Sequence, residues 1–242
     1  MRKISTFHIA AALLAALWFT PSTAGAAPKT TVNCSGGYVA LTFDDGPTPD
    51  TYAVLDALRQ NGLKATFFLV GFNVQLYPEI ALRIVRDGHQ VGNHSWDHTD
   101  LTTLTPAEID WQLRATNDII RQATGVTPRF VRPPYGNSNE TVRGVMAANG
   151  LTEVIWSQDS WDWAEVTPMD ILNQLSLVPP GGTLAMHDWA PNTVLAIPSF
   201  YWYFRVYWAA TPICAGRLAP TTNVQPVMDW LGNWFFAHAV RW

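Results

Sequence analysis

The sequence contains few of the features that mark several large classes of protein. Of its 242 residues, only two are cysteine and 14% are charged, and the formal net charge is −4. It has no GxGxxG and no GxxxxGK[ST] motif, so the two common nucleotide-binding signatures are absent. A mildly acidic chain also lacks the lysine and arginine excess that neutralises phosphates. We therefore predict that nucleic acid is not a partner.

The chain also lacks an apolar run that is comfortably long enough for a membrane span. Ile9–Phe19 is apolar and follows Arg2 and Lys3, and Ala24–Ala26 has the small-x-small form of a cleavage site. A membrane helix needs about 20 residues, which this run does not reach. We expect residues 1–26 to be a secretory signal peptide and the mature chain to be secreted, without insertion in a membrane. Losing two cations changes the formal charge from −4 to −6.

No low-complexity linker divides the rest of the chain. We expect one domain at 27–216 and an aromatic C-terminal extension at 217–242 that packs on it. Cys34 and Cys214 are the only cysteines, and an even pair in an exported protein is best explained by a disulfide. Such a bond would stabilise the fold by roughly 4–5 kcal/mol in the chain-entropy model. Two free buried thiols are the alternative.

Short apolar or β-branched runs alternate with segments of helical spacing. The predicted strands are Tyr38–Phe43, Ala65–Val70, Gln90–Asn93, Arg129–Arg132, Glu153–Ser157 and Thr183–Met186. The predicted helices are Asp50–Gln60, Pro78–Arg86, a longer one that Thr105 and Pro106 open and that ends near Gly125, Asn139–Ala148, and one that Thr167 and Pro168 open. This alternation predicts an α/β fold with parallel strands and right-handed crossovers, as a barrel or an open doubly wound sheet.

Polar motifs follow the predicted strands one after another. They are Asp44–Asp45, His94–His98, Arg132–Gly136, Asp159–Trp163 and His187–Asp188. The carboxyl ends of parallel strands lie at one rim, and α/β proteins build their active sites there. The motifs therefore predict a functional site at that rim.

Two histidines and an acid form a candidate metal site. His94 and His98 are four residues apart and could both bind one divalent ion. A lone HxxxH pair is weak evidence, but Asp45 completes a three-ligand set that leaves positions open for water and substrate. Zinc suits these ligands, and the ligand types are also compatible with cobalt, nickel and manganese. Asp44 then remains beside the site as a free carboxylate.

The same motifs carry a family resemblance. TFDDGP at Thr42–Pro47, HSWDH at His94–His98, RPPYG at Arg132–Gly136, DSWDW at Asp159–Trp163 and LAMHD at Leu184–Asp188 resemble, in order, the five motifs of the polysaccharide deacetylases, the NodB homology domain of carbohydrate esterase family four. CSGGY and LTEVIW resemble the secreted actinobacterial branch that acts on acetylxylan and chitooligosaccharides. The resemblance implies a distorted (β/α) barrel and makes 27–216 the catalytic domain.

The resemblance also implies a role for each matching residue. Asp45, His94 and His98 would bind the metal, Asp44 would be the general base and His187 the general acid. Arg132 would orient Asp44, Asp162 would pair with His187, and the backbone N–H of Tyr135 would stabilise the oxyanion. Substrate would contact Trp163, Leu184, Trp189, Pro133 and Tyr135, with Leu184 forming the floor beneath the acetyl methyl. Ordinary packing is the alternative for Leu184 and Trp189.

The sequence departs from the family after Asp188. Ser199–Trp208 and Val224–Trp242 are crowded with aromatic residues. One interpretation is an aromatic helix that closes the barrel, with the tail packed over its side. The other is an extended sugar-binding or association surface, because large exposed apolar patches usually bind something.

The resemblance predicts a monomeric metal-dependent hydrolase that removes acetyl groups from a polysaccharide or oligosaccharide. The sequence leaves three substrate classes open: acetylxylan esters, chitin or chitooligosaccharide amides, and peptidoglycan N-acetylglucosamine amides. A non-catalytic carbohydrate-binding protein on the same fold and a metal-dependent hydrolase of another bond are the rival hypotheses.

Overall fold

The computed structural model describes residues 37–206 and 213–216. Its strands are β1 Gly37–Asp44, β2 Thr66–Leu69, β3 Gln90–Asn93, β4 Phe130–Val131, β5 Thr152–Glu153, β6 Gln158–Asp159, β7 Thr183–His187 and β8 Ile213–Gly216. Its α-helices are α1 Thr51–Gln60, α2 Gly71–Leu76, α3 Pro78–Arg86, α4 Pro106–Thr124, α5 Glu140–Ala148, α6 Pro168–Ser176 and α7 Pro191–Val206. The predicted signal peptide and the predicted extension at 217–242 lie outside the described residues.

The strands pair in parallel in the order β5-β4-β3-β2-β1-β7-β6, and β8 pairs with the first half of β1. β1 is central, with β2 on one side and β7 on the other. The register between β1 and β7 places Asp44 opposite His187. Because every described pair is parallel, the carboxyl ends of the strands lie at one rim.

The two edge strands of this sheet are close neighbours in the chain. β5 ends at Glu153 and β6 begins at Gln158, so only residues 154–157 separate them. Five steps of extended chain reach at most about 18 Å, so the two edges must approach each other within that distance. The sheet is therefore curled into a barrel that is interrupted between β5 and β6. This confirms the predicted distorted (β/α) barrel.

The two faces of the sheet bury different side chains. Phe43 of β1 belongs to the main hydrophobic cluster, which includes apolar residues of α1 and α7. Ala40 faces the barrel interior in a smaller cluster with Phe68. Thr42 and Asp44 share the interior face with Ala40 because side chains alternate along a strand. Asp44 thereby stands at the open end of the interior.

Helix boundaries lie where the sequence predicts them. The Thr105 hydroxyl accepts a hydrogen bond from Glu108 N and the Glu108 carboxylate accepts one from Thr105 N, which forms a capping box at the start of α4. Gly125 ends the same helix with a left-handed φ of 76°. Thr167 and Asp170 form a second capping box that opens α6. The predicted ends of α4 and the predicted start of α6 are confirmed.

One predicted strand is wrong, and one helix was not predicted. Within Glu153–Ser157 only Glu153 belongs to a strand, and the chain re-enters the sheet at Gln158. Val154 N still donates to Val131 O of β4 and Ser157 N to Thr183 O of β7, so the segment leaves one sheet edge and joins the other. Helix α2 has only six residues, which is too short to establish a helical period.

The aromatic run predicted at Ser199–Trp208 belongs largely to the longer helix α7, which continues through Pro198. Phe200 and Phe204 are buried in the main core, whereas Trp202 is 67% exposed. This agrees with an aromatic helix packed on the barrel. Val224–Trp242 and its suggested binding role lie outside the described residues.

Within the part of the chain that the structure covers, no helix combines the length and the apolar character needed to cross a membrane.

Candidate active site

The polar motifs that follow the strands meet at the carboxyl-end rim of the barrel. Among the described residues, six that are not glycine have a positive φ, and all six lie in rim loops: Asp45, Ser95, His98, Tyr135, Trp161 and Glu165. Such conformations cost about 1–3 kcal/mol each and cluster at functional sites. The rim is therefore the candidate active site.

Asp45, His94 and His98 converge at this rim. Asp45 Oδ1 lies 3.4 Å from His94 Nε2 and 3.3 Å from His98 Nε2. Asp45 Oδ1 is buried and accepts no hydrogen bond from any residue that the structure describes. An orphaned carboxylate oxygen that faces two imidazole nitrogens fits a divalent cation, and three protein ligands leave room for water. The structure thus brings together the three predicted metal ligands.

Hydrogen bonding fixes the tautomer of one ligand. His94 Nδ1 lies 2.7 Å from Arg132 O, and a carbonyl oxygen only accepts, so Nδ1 carries the proton. His94 Nε2 therefore presents its lone pair toward Asp45, as metal-binding histidines do when a second group holds the other nitrogen. Burial and the neighbouring His94 imidazole lower the pKa of His98, which favours the neutral ring that metals bind.

Two neighbouring side chains orient Asp45. Trp189 Nε1 donates a hydrogen bond to Asp45 Oδ2 at 3.0 Å, and Asn73 Nδ2 donates to the Asp45 carbonyl at 2.7 Å. Burial raises the pKa of Asp45, but its contacts with the imidazoles of His94 and His187 and the hydrogen bond from Trp189 outweigh burial and hold that pKa well below its usual range. Asp45 is thus an ionised ligand in a fixed orientation.

Asp44 is paired with a buried arginine. Arg132 is fully buried, and its Nη1 donates to Asp44 Oδ1 at 2.8 Å, to Asp44 Oδ2 at 3.0 Å and to Thr42 Oγ1 at 2.8 Å. Its Nε donates to Val154 O at 3.1 Å, and its guanidinium carbon lies 4.3 Å from the centroid of the Phe68 ring. A surface role for Arg132 is therefore excluded, and the arginine fixes Asp44 in position.

His187 forms a second charged pair at the rim. Its Nδ1 lies 2.7 Å from Asp162 Oδ1, while Asp162 Oδ2 accepts from His187 N at 2.7 Å and from Thr193 Oγ1 at 2.5 Å. Burial lowers the pKa of His187, but the hydrogen bond and the charge of Asp162 outweigh burial, and the charges of Asp44 and Asp45 add to them. Together they raise this pKa to about 9. Nε2, 4.0 Å from Asp45 Oδ2, is left to face the site.

Aromatic side chains surround these charged groups. Trp163, Trp189 and Tyr135 are 47%, 39% and 63% exposed. The Trp189 ring lies 5.3 Å from the His187 ring, and the Tyr135 ring lies 4.7 Å from the His98 ring. A pocket of about 400 Å³ opens beside His187, lined by Asp162, Trp163, Glu165, Trp189, Pro191 and Asn192.

Two predicted substrate contacts do not fit their positions. Leu184 is fully buried in the main core, because it lies on the helix-facing side of β7 whereas Ala185 and His187 alternate to the other face. Leu184 therefore does not form a floor for an acetyl group. Pro133 is buried, so it offers little surface to a substrate.

Sequence reasoning assigned no role to Asp188, which is buried beside the β1–α1 loop. Its Oδ2 accepts from Thr51 Oγ1 at 2.6 Å, and Thr51 Oγ1 accepts from Thr48 N at 2.8 Å. A Cβ at Gly46 would lie 2.0 Å from Asp188 Oδ2, so only glycine fits there. Burial raises the pKa of Asp188 to about 7. Its place directly after His187 was the available sequence signal.

Gln112 of α4 was also missed. Its Oε1 accepts from Trp96 N at 2.6 Å, and its Nε2 donates to Asp97 Oδ1 at 2.8 Å. Gln112 thereby holds the loop that carries His94 and His98. Its distance from the motif along the chain gave no signal of this contact.

The predicted disulfide lies outside what can be described, because the structure describes neither Cys34 nor the side chain of Cys214.

A sequence profile described as Polysaccharide deacetylase matches residues 31–154, just over half of the chain. The peptidoglycan-N-acetylmuramic acid deacetylase PdaC of Bacillus subtilis (strain 168) is 39% identical over 160 residues, which are 65% of this chain and 34% of that protein. The chitooligosaccharide deacetylase of Bradyrhizobium sp. (strain ANU 289) is 40% identical over 156 residues, 63% of this chain and 71% of that one. The chain spans only about a third of the first two curated relatives, 34% and 30% of their lengths.

The fold has close structural neighbours as well. A family 4 carbohydrate esterase from Streptomyces lividans, solved in complex with acetate, superposes with a TM-score of 0.73 at 42% identity. The match covers 78% of this chain and 96% of that one. Profile, relatives and fold agree with the five ordered motifs, and the chain belongs to the polysaccharide deacetylase family.

Proposed function

We propose that this protein is a secreted, metal-dependent hydrolase that releases acetate from an acetylated polysaccharide or oligosaccharide. One arrangement carries the proposal. The orphaned Asp45 Oδ1 faces His94 Nε2 and His98 Nε2. Beside it, Asp44 of β1 and His187 of β7 lie opposite each other in the sheet register. This set offers ligands, a base and an acid within one rim. Chitooligosaccharide amides and acetylxylan esters are the proposed substrates.

Asp45, His94 and His98 would hold one divalent ion. Zinc suits two imidazoles and a carboxylate, and cobalt, nickel and manganese can use the same ligands. Such an ion, when bound, polarises an acetyl carbonyl and lowers the pKa of a water to about 7.

Asp44 would take a proton from the attacking water. A carboxylate is a weak base. Asp44 can serve here because the bound metal would make the attacking water more acidic. Arg132 contacts both Asp44 oxygens through one nitrogen and balances their charge in a buried environment. We therefore assign Arg132 as a positioning residue that keeps Asp44 oriented toward the site.

His187 would give a proton to the departing amine or alkoxide as its bond to the acetyl carbon breaks. Asp162 occupies Nδ1, so Nε2 is the donor. The hydrogen bond and the charge of Asp162 raise the pKa of His187, which favours the protonated ring that can donate. The water oxygen leaves in acetate, its proton goes to Asp44, and the sugar nitrogen or oxygen receives the His187 proton.

Tyr135 and two tryptophans would stabilise the oxyanion of the reaction and contact the sugar. We assign the Tyr135 N–H to the oxyanion, where one such donor is worth about 3–4 kcal/mol. Tyr135 adopts φ 60° and ψ 5°, a strained conformation that fits a functional backbone group. The exposed faces of Trp163 and Trp189 suit sugar rings.

Acetate release from acetylated chitooligosaccharide and from acetylxylan, with zinc added and with chelator, tests the proposal. Turnover should require metal. Asp44→Asn should reduce turnover by a factor of about 10²–10⁴, the range for lost acid–base catalysis, while zinc affinity measured against a chromogenic chelator stays close to wild type. Asp50→Asn is the matched control, because Asp50 is exposed and its side chain caps no helix N–H.

No acetate from either substrate with zinc bound would reject the proposed function. If Asp44→Asn lost zinc as completely as turnover, the roles of the two neighbouring acids would be reversed.

A further inference from the structure

The pocket beside His187 contains one carboxylate that the proposed reaction does not use. Two of its six lining residues are acidic, Asp162 and Glu165. Both Asp162 oxygens are already engaged, one with His187 Nδ1 and the other with His187 N and Thr193 Oγ1. Glu165 is exposed and makes no hydrogen bond or ion pair with any residue that the structure describes. Its charge is available to a ligand.

The other walls of this pocket suit a sugar ring. Trp163 and Trp189 are both partly exposed and offer aromatic faces. Asn192 donates its Nδ2 to Val166 O at 2.8 Å, which leaves its side-chain oxygen for a hydroxyl. A volume of about 400 Å³ lies within the range of ligand pockets. The Trp189 ring is 5.3 Å from the His187 ring, so an occupant would be the neighbour of the sugar that loses its acetyl group.

The one charged imidazole beside Glu165, that of His187, is already paired with Asp162, and the rim loops that the structure describes offer no other accessible cation. The described rim loops at 45–50, 94–105, 132–139, 160–167 and 188–190 contain no lysine, and their single arginine, Arg132, is fully buried. The same loops carry Asp45, Asp50, Asp97, Asp100, Asp162, Glu165 and Asp188. A sugar that carries a carboxylate would therefore meet like charge in this pocket, and one that carries an ammonium would meet opposite charge.

We propose that Glu165 is a specificity-determining residue, which makes the pocket beside His187 accept a 2-amino sugar with a free ammonium and disfavour a sugar with a carboxylate. The inference rests on the proposed function, because it concerns the sugar next to the one that the proposed active site deacetylates. It selects chitin-type chains that are already partly deacetylated over chains of acidic sugars such as N-acetylmuramic acid.

The test compares three β-1,4-linked tetrasaccharides of similar shape that have no acetyl group and cannot be consumed. They are the glucosamine tetramer, which is cationic, cellotetraose, which is neutral, and the glucuronic acid tetramer, which is anionic. Dissociation constants are measured by calorimetry on the zinc-loaded full chain, with and without Glu165→Gln or Glu165→Lys. Zinc is present in every sample, so its own attraction for anions cancels between variants.

One pair of unit charges about 4 Å apart in water changes an affinity by roughly fivefold. Glu165→Gln should therefore reduce the preference for the cationic over the neutral tetramer by about fivefold, and Glu165→Lys by about 25-fold, with the opposite change for the anionic tetramer. In 1 M salt these differences should largely vanish, because the Debye length falls to about 3 Å. Asp50→Asn removes a carboxylate from another rim loop and should leave the preference unchanged.

Charge preferences that are identical in wild type, Glu165→Gln and Glu165→Lys would overturn the inference. Acetate release from fully acetylated chitotetraose by the same preparations is measured in parallel. Release without charge selection leaves the proposed function standing and rejects the role of Glu165. Charge selection by Glu165 without any release supports the pocket assignment and rejects the proposed function.

Discussion

The pairing of His187 with Asp162 predicts a large change in one titration. His187 has a pKa of about 9 against an ordinary value of 6.5, a difference of 2.5 units, which corresponds to about 3.4 kcal/mol at 1.36 kcal/mol per unit. Burial alone would lower the value, so Asp162, with smaller contributions from Asp44 and Asp45, must supply more than this difference. In Asp162→Asn the shape is kept, the negative charge is lost, and the pKa of His187 should fall by two units or more.

The assay is an NMR pH titration of the His187 ring in chelator-treated protein, with the signal assigned by its loss in His187→Gln. The control is Asp159→Asn, which removes a carboxylate that accepts from Trp161 N and Trp163 Nε1 and not from His187. That control should move the pKa of His187 by less than about half a unit, as expected for a charge acting through water. With zinc and an amide substrate, the alkaline limb of the rate profile should move to lower pH in Asp162→Asn.

The same pair makes a prediction about stability. Because the pKa of His187 is raised in the folded state, its stabilisation is complete below pH 6.5 and is lost as pH rises through about 9. Metal-free wild type should lose up to about 3.4 kcal/mol of unfolding free energy across that window, and Asp162→Asn should lose far less. A His187 pKa that stays near 9 in Asp162→Asn, or that is already near 6.5 in wild type, would refute the reasoning.

Three further predictions concern stability and can be measured by denaturant unfolding. Arg132→Leu leaves Asp44 buried without its partner, so it should cost about 3–5 kcal/mol, and a loss below about 1 kcal/mol would contradict the buried pair. Asp188 has a pKa raised to about 7 from 3.8, so its ionisation destabilises the fold as pH rises between these values. Asp188→Asn should therefore gain about 3 kcal/mol relative to wild type between pH 5 and pH 8 in metal-free protein, and an equal difference at both pH values would count against it. Thr105→Ala removes the α4 cap and should cost about 1 kcal/mol, whereas no loss would mean that the capping box contributes nothing.

Local signals in the sequence placed much of the fold correctly. The capping residue Thr105 and the terminal Gly125 set the ends of α4 because they act on adjacent backbone groups. The failures arose where a segment depends on distant partners. Glu153–Ser157 has strand composition, yet only its ends form backbone–backbone hydrogen bonds with neighbouring strands and its middle crosses from one sheet edge to the other. Composition carries no information about whether a neighbour is present.

The candidate site divides in a similar way. Asp45, His94 and His98 were identified from residue type, order and family resemblance, and the structure brings them together. Leu184 was misplaced by its position within a motif, because the face of a strand that meets the helices depends on how the whole sheet packs. Gln112 and Asp188 were missed because their contacts span loops and helices far apart in the chain.

The sequence by itself determined the strand and helix order, the helix caps, the family and the donor atoms at the rim, because these follow from local backbone preferences and from residue chemistry. Only the tertiary structure decided that Arg132 is buried on Asp44, that His94 Nδ1 is bound to a carbonyl, and that Glu165 lies in a pocket beside His187 with no ion-pair partner among the described residues. Burial and pairing are properties of the environment that the whole fold builds around a side chain, and the same residue can be exposed or buried in another fold.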